Sequence, residues 1–205
     1  MSGQQRSIWV AGGSGFAREM RALFRVVHGN AEFHFISDAD ERAFLASASG
    51  LDALLAIGHP RLRLEVYQRW TQAGVNFVGL CHPAAVTDAT CTIGTGSLIC
   101  AGAIISCDVE VADAVVVNWN ATIGHDCRIG LGTVINPNAS VSGGCKVGAG
   151  TLIGAGATIL EGIVVGDFAR VGAGAVVTRN VRAGETVVGV PARSFESTNT
   201  DALRS

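Results

Sequence analysis

The sequence predicts an α/β unit followed by an all-β one: a small βαβ arrangement over residues 1–80, a parallel β-helix over 81–193, and a disordered polar tail over 194–205. Two observations carry this. From Ile93, every sixth residue is Ile or Val for fifteen consecutive positions, ending at Val177. A period of six fits neither a helix at 3.6 nor a plain strand at 2, but it does fit a short strand plus a turn, three of which close one triangular coil. Before that array, short apolar runs alternate with helical patterns and a glycine-rich turn, as in parallel strands joined by crossovers.

The elements follow in order. SIWVAGGSGFAREM, Ser7 to Met20, reads as a strand, a glycine-rich turn and a helix whose Met20, Leu23, Phe24 and Val27 recur at helical spacing. FHFIS, Phe33 to Ser37, is a second strand ending at Asp38, and LDALLAIG is a third ending at Gly58. His59-Pro60 opens a helix to about Gln72, and VNFVGL, Val75 to Leu80, is a last strand feeding the repeat. In such units ligands bind at the carboxyl ends of the parallel strands. GGSG by itself is equally a tight connection; Asp38 adds weight to a nucleotide site, because a carboxylate after the second strand commonly takes a ribose hydroxyl.

Within the repeat, the Ile and Val side chains point inward and stack about 4.8 Å above their counterparts. The residue after each is mostly small, with Gly94, Gly124, Gly130 and Gly148 expected where the corner turns tightly. A second small column contains Ala103, Ala121, Cys127, Ala139 and Cys145. Cys127 and Cys145 are separated by three hexapeptides, one full coil, so they should share an inward stack.

Composition narrows the function. Hydrophobic residues make up 48% of the 205 residues but aromatics only 6%, so the core is built from small and β-branched side chains. The 15 basic and 17 acidic residues are scattered, with no basic stripe to meet a nucleic acid. The start has no basic segment leading a long apolar run, so a cytoplasmic protein is expected. The stretch from Ala89 to Cys107 carries no charge and approaches the length of a membrane span, but its hexapeptide beat argues against a helix. The six cysteines form no CxxC pair and have no histidine at zinc-finger spacing, so they read as small buried thiols in a reducing compartment.

The array, with VNWNATIGHDCRIG (Val117 to Gly130) and the ending VVGVPAR (Val187 to Arg193), resembles the hexapeptide-repeat acyltransferases. That resemblance implies a left-handed β-helix, a homotrimer with active sites at subunit interfaces, and acetyl-CoA as co-substrate. Together with the glycine-rich N-terminal unit, it is similar to one subfamily, the acetyltransferases of nucleotide-linked amino sugars and of sialic acid, in which a Rossmann-like domain holds the nucleotide sugar. The substrate contacts so implied are Ser14, Gly15, Phe16, Ser37, Asp38, Gly58 and Arg61. Several relatives carry His where this chain has Phe16 and a second Asp where it has Ser37.

Acetyl transfer needs a base for the nucleophile and a donor for the oxyanion. His125 is the only histidine in the repeat, since His28, His34, His59 and His82 lie at or before its start. It sits at an outward corner, and neutral imidazole is able to accept a proton at pH 7. Asp126 follows directly and can fix its tautomer and raise its basicity; the resemblance gives the pair the same roles. Gly143, three hexapeptides further on, should lie one coil above and offer its N–H to the acetyl carbonyl. By positional match, Ala155 and Ala173 would line the pantetheine channel. Many relatives carry a cofactor-holding His where this chain has Val134. Asn118 and Asn136 stack one coil apart, where they could orient the sugar, but asparagine at a β-helix corner is often structural and they are not counted among the site residues.

Three readings compete. The first is an acetyl-CoA-dependent N-acetyltransferase of a nucleotide-linked 4-amino-4,6-dideoxy sugar in surface-glycan biosynthesis, with no metal; a sialic acid O-acetyltransferase shares its base chemistry. The second is a β-helical carbonic anhydrase, which needs three zinc-binding histidines where the repeat has one. The third is a non-catalytic β-helix binding protein.

Overall fold

The computed structural model describes residues 6–37 and 39–195. Four parallel strands, β1 (Arg6–Ala11), β2 (Ala31–Ile36), β3 (Asp52–Leu55) and β4 (Asn76–Phe77), form a sheet in the order β2-β1-β3-β4. Three helices connect them: α1 (Gly15–His28), α2 (Glu41–Leu45) and α3 (Pro60–Gln72). α1 buries Ala17, Met20, Leu23 and Phe24 along one stripe. α3 starts where the sequence indicates, with Pro60 in its first turn and the His59 ring nitrogen Nδ1 accepting from the Leu62 N–H at 3.4 Å. α2 is not foreseen by the sequence reading.

From Leu80 the chain winds into a parallel β-helix of two-residue strands on three faces. The first face runs through Leu98–Ile99, Val116–Val117, Val134–Ile135 and Leu152–Ile153, the second through Ile104–Ile105, Thr122–Ile123 and Ser140–Val141, and the third through Glu110–Val111, Arg128–Ile129 and Lys146–Val147. Partner strands are separated by three hexapeptides, as in Thr122↔Ser140 and Ile123↔Val141. The inward Ile and Val column is buried from Ile99 to Val177, and Cys127 and Cys145 lie within that core. Ile93 departs from it, at 39% exposure, because the third face has no strand beneath Thr92–Ile93.

The glycines of the repeat act differently from the expectation. The left-handed corner residue is the third after each Ile or Val: Gly132, Gly144 and Gly150 there have φ of 67°, 68° and 60°, and Asn120, Asp126 and Asn138 share it at 55°, 57° and 59°. The glycine immediately after the Ile gives clearance instead. A Cβ on Gly124 would come within 2.5 Å of the Gly143 nitrogen in the next coil, so the ladder spacing leaves no room for a side chain there.

Two other expectations are corrected. Ser194 belongs to a strand, Arg193–Ser194, antiparallel to Thr186–Val188, and the Phe195 N–H donates to the Thr186 carbonyl at 2.7 Å. A tail therefore cannot begin at 194, and its remainder, 196–205, lies outside the described residues. Of the cysteines, Cys100, Cys127 and Cys145 are buried, whereas Cys81 and Cys107 are exposed: Cys81 stands beneath Ile99 at the open end of the stack, and Cys107 lies at a corner between the second and third faces.

The N-terminal unit packs on the first face. Leu80, Leu98, Val116 and Val134 point outward there and join Ile8, Met20, Phe24 and Leu54 in one cluster. Arg63 of α3 pins the junction. It is fully buried, and its guanidinium donates to the carbonyls of Leu55 (2.7 Å), Ile57 (3.1 Å), Gly96 (3.2 Å) and Ala114. Two of these acceptors close β3 and the loop after it, and two are corners of successive coils.

Candidate active site

Two places gather chemistry. The first is the edge of the β-helix between the second and third faces. Asp126 takes its left-handed corner conformation there, and its Oδ2 accepts from His125 Nδ1 at 2.7 Å. A carboxylate only accepts, so Nδ1 carries the proton and Nε2 of the neutral ring presents a lone pair. The hydrogen bond that His125 donates to Asp126, reinforced by the carboxylate charge, raises the His125 pKa above the ordinary imidazole value. Both side chains remain open to solvent, at 55% and 67% exposure.

Gly143 stands directly over the ring. The Gly144 N–H donates to the His125 carbonyl at 2.7 Å, fixing the register, and a Cβ on Gly143 would lie 2.5 Å from His125 Nε2. The Gly143 N–H takes no backbone partner among the described residues. A base with an available lone pair and an uncommitted peptide N–H beside it are the parts that acyl transfer requires. Substituting Gly143 by alanine should push the imidazole off the coil above it and reduce turnover more than tenfold at unchanged thermal stability; steady-state kinetics with a melting curve checks this.

Ala155 and Ala173 are exposed and stack on a different edge, between the first and second faces. One chain therefore keeps them apart from His125 and Gly143 by the width of the second face. Val134 is 1% exposed beneath the N-terminal unit, so no ligand reaches its side chain. Asn118 is also buried, and its Oδ1 accepts from the next residue's N–H at 2.9 Å, a local structural bond.

The second place is a cleft of about 540 Å³ at the carboxyl ends of β1 and β3, where the fold rule places a ligand. Ser14, Ser37 and Gly58 line it, as expected. Gly12 gives the turn after β1 its close approach to the Ala56 carbonyl, where no Cβ would fit. Gly15 and Phe16 form the first turn of α1 beside the cleft, and a Cβ on Gly58 would lie 3.7 Å from the Phe16 ring. Arg61 lines a separate small cavity at the junction with the β-helix. Asp38 lies outside the described residues.

The sequence reading missed much of this wall. Glu41, at the start of α2, accepts from Trp70 Nε1 at 2.7 Å and from Arg69 at 2.8 Å, and all three residues line the cleft. Burial alone would raise the Glu41 pKa, but the hydrogen bonds from Arg69 and Trp70 and the Arg69 charge hold it below the usual carboxylate value. Leu62, Val66 and Ile36 complete an apolar side suited to a flat ring.

Among the described residues, no three His, Cys, Asp or Glu side chains gather in a way that would hold a metal ion, and no helix is long and apolar enough to cross a membrane.

The chain is similar to known proteins over both of its units. The family model described as bacterial transferase hexapeptide (six repeats) matches residues 126–160 and 144–179. The chain is similar to the acetyltransferase domain of PglB from Neisseria gonorrhoeae, at 28% identity and a TM-score of 0.86, over 93% of this chain and 100% of that one. PerB from Caulobacter crescentus, solved with CoA and GDP-perosamine, matches at 27% identity and a TM-score of 0.84, covering 93% and 97%. WeeI from Acinetobacter baumannii matches at 27% identity and a TM-score of 0.83, covering 93% and 100%.

Proposed function

We propose that this chain, a hexapeptide-repeat transferase of the sugar N-acetyltransferase type, moves an acetyl group from acetyl-CoA to the amino group of a nucleotide-linked 4-amino-4,6-dideoxy sugar in surface-glycan biosynthesis. The observation that carries this reading is the stacking of Gly143 on the Asp126-bound imidazole of His125, in a chain whose fold matches PerB over nearly its whole length. The resemblance in fold and length extends over nearly the whole of these relatives.

His125 Nε2 takes the proton from the sugar amine as its nitrogen attacks the thioester carbonyl. Asp126 holds the imidazolium that results. Gly143 donates its N–H to the oxyanion of the tetrahedral intermediate. As that intermediate collapses, the C–S bond breaks and the imidazolium returns its proton to the departing thiolate. Ala155 and Ala173 bound the pantetheine through backbone groups. Ser14, Ser37, Asp38 and Gly58 hold the nucleotide sugar.

The resemblance implies a homotrimer, and the geometry supports sites shared between neighbouring copies. In a three-sided coil the edge bearing His125 is opposite the first face, on which the N-terminal unit sits. An acceptor held in a chain's own cleft is therefore remote from that chain's own base, and a neighbouring copy supplies the base. Ala155 and Ala173 meet Gly143 in the same way, across a subunit boundary. Dependence on the acetyl-CoA pool supports a cytoplasmic enzyme.

The test measures CoA release with UDP-, dTDP- and GDP-linked 4-amino sugars and with free sialic acid. Turnover of a nucleotide-linked 4-amino sugar supports the reading. Turnover of sialic acid alone makes it an O-acetyltransferase, and failure to bind acetyl-CoA makes it a non-catalytic β-helix.

The pH profile has a defined sign. A base works when neutral, so activity should rise with pH through the His125 pKa, and the bond to Asp126 sets that acidic limb above the ordinary imidazole pKa. In Asp126→Asn the limb should move down in pH and the plateau should fall, by less than on loss of His125 itself. A limb that stays in place would show that Asp126 does not tune the base.

A further inference from the structure

The cleft has a shortage of positive charge for a ligand carrying two phosphates. Arg69 is its lining arginine, and that charge is committed to Glu41. Arg18, on the first turns of α1, flanks Gly15 rather than lining the cleft. His59 leads to other cations, because it lines both the cleft and the small cavity at the junction with the β-helix.

That cavity is a constructed one. Its volume is about 80 Å³, and its wall includes His59, Arg61, Gly150, Phe168 and Arg170. The Arg61 guanidinium stands 5.5 Å over the Phe168 ring, a cation–π contact that holds a long side chain in place. Phe168 adopts a left-handed φ of 57°, and Gly150 makes room for its ring, since a Cβ there would lie 2.7 Å from it. Arg170 comes from the first face of the coil. Neither arginine forms an ion pair among the described residues. Glu65, one turn along α3 from Arg61, is the acidic group whose charge reaches His59. The amino end of the 13-residue α3 opens here and adds its positive dipole.

We propose that Arg61 and Arg170 form a phosphoryl-binding site at the junction between the two units, and that it takes a phosphate of the nucleotide-linked acceptor. This rests on the acceptor class proposed above. The space is several times the roughly 10–15 Å³ that a single water requires, and two forked guanidiniums suit an oxoanion. His59 adds a donor: its Nδ1 accepts from Leu62, so Nε2 bears the proton of the neutral ring. Burial, then the charges of Arg170 and Arg61, lowers the His59 pKa, as a locally positive field requires. Arg170 thereby makes the coil a partner in acceptor binding, because one wall of the site belongs to the β-helix.

The experiment is calorimetry on the full chain with UDP, dTDP, GDP, the matching nucleosides and pyrophosphate, with wild type, Arg170→Gln, Arg61→Gln and Arg170→Lys. The expected result is a loss of about 10- to 100-fold in nucleoside diphosphate affinity for either glutamine variant. Nucleoside binding and the KM for acetyl-CoA should be unchanged, and Arg170→Lys should recover part of the loss. Wild-type-like nucleotide affinity in both glutamine variants overturns the site while leaving the acceptor class intact. If Arg170→Gln instead weakens acetyl-CoA and removes a preference for it over 3′-dephospho-acetyl-CoA, the phosphate belongs to the donor and the acceptor assignment is overturned. Failure of the wild type to bind any nucleoside diphosphate overturns the acceptor class itself.

Discussion

Replacing His125 by alanine is expected to lower kcat by about 10²- to 10⁴-fold, with CoA release on the best nucleotide-linked amino sugar as the measurement. The effect should be confined to turnover. His125 is exposed and donates no hydrogen bond into the core, and its backbone carbonyl, which binds the Gly144 N–H, survives the substitution. Melting temperature and nucleotide affinity should therefore stay at wild-type values. Full turnover by this variant would remove His125 from the chemistry and leave Asp126 and Gly143 without a reactive group to serve.

The largest expected effect on stability comes from Arg63→Met. The native guanidinium satisfies four backbone carbonyls, and burial lowers its pKa to about 9, so it is still charged at neutral pH. Methionine fills much of the volume but donates nothing. Breaking a buried charged network by removing one partner costs about 3–5 kcal/mol; at ~2–4 °C per kcal/mol for a chain of this size, the melting temperature should fall by roughly 10 °C. Arg63→Lys should lie between the two, since three donors cannot reproduce the fork. A melting temperature within about 2 °C of wild type in the methionine variant would show that the junction holds by apolar packing alone.

The two residues differ in how far the sequence discloses them. A coil of three hexapeptides fixes which residue stands over which, so the stacking of Gly143 on His125 is readable before any coordinates. The same step shows Leu80, Leu98, Val116, Val134 and Leu152 in one outward column, against Thr92, Glu110, Arg128, Lys146 and Val164 on the third face. That contrast marks the face the N-terminal unit covers, although only the structure drew attention to it. Arg63 could not be foreseen: in PRLRLEVYQRW it looks like one more surface charge, and its burial is decided by carbonyls 33 and 51 residues away. Glu41 escaped for a related reason, since five residues of α2 are too few for a helical period to register. The glycines after each Ile were correctly picked out for the wrong cause, because clearance and corner conformation both select glycine but at different places in the hexapeptide.

The clearance at Gly124 and Gly143 has a consequence for how such an enzyme changes its preferences. The residues proposed as base and oxyanion donor, His125 and Gly143, sit on adjacent rungs of one hydrogen-bonded ladder, so the separation of their backbones is quantised at the strand spacing of about 4.8 Å. No loop movement can stretch it, and no side chain can be inserted to trim it. The β-helix edge is a ruler, indifferent to the identity of the acceptor. Diversification is thereby driven into the α/β unit and its junction, where residues can be exchanged without recalibrating the catalytic distance.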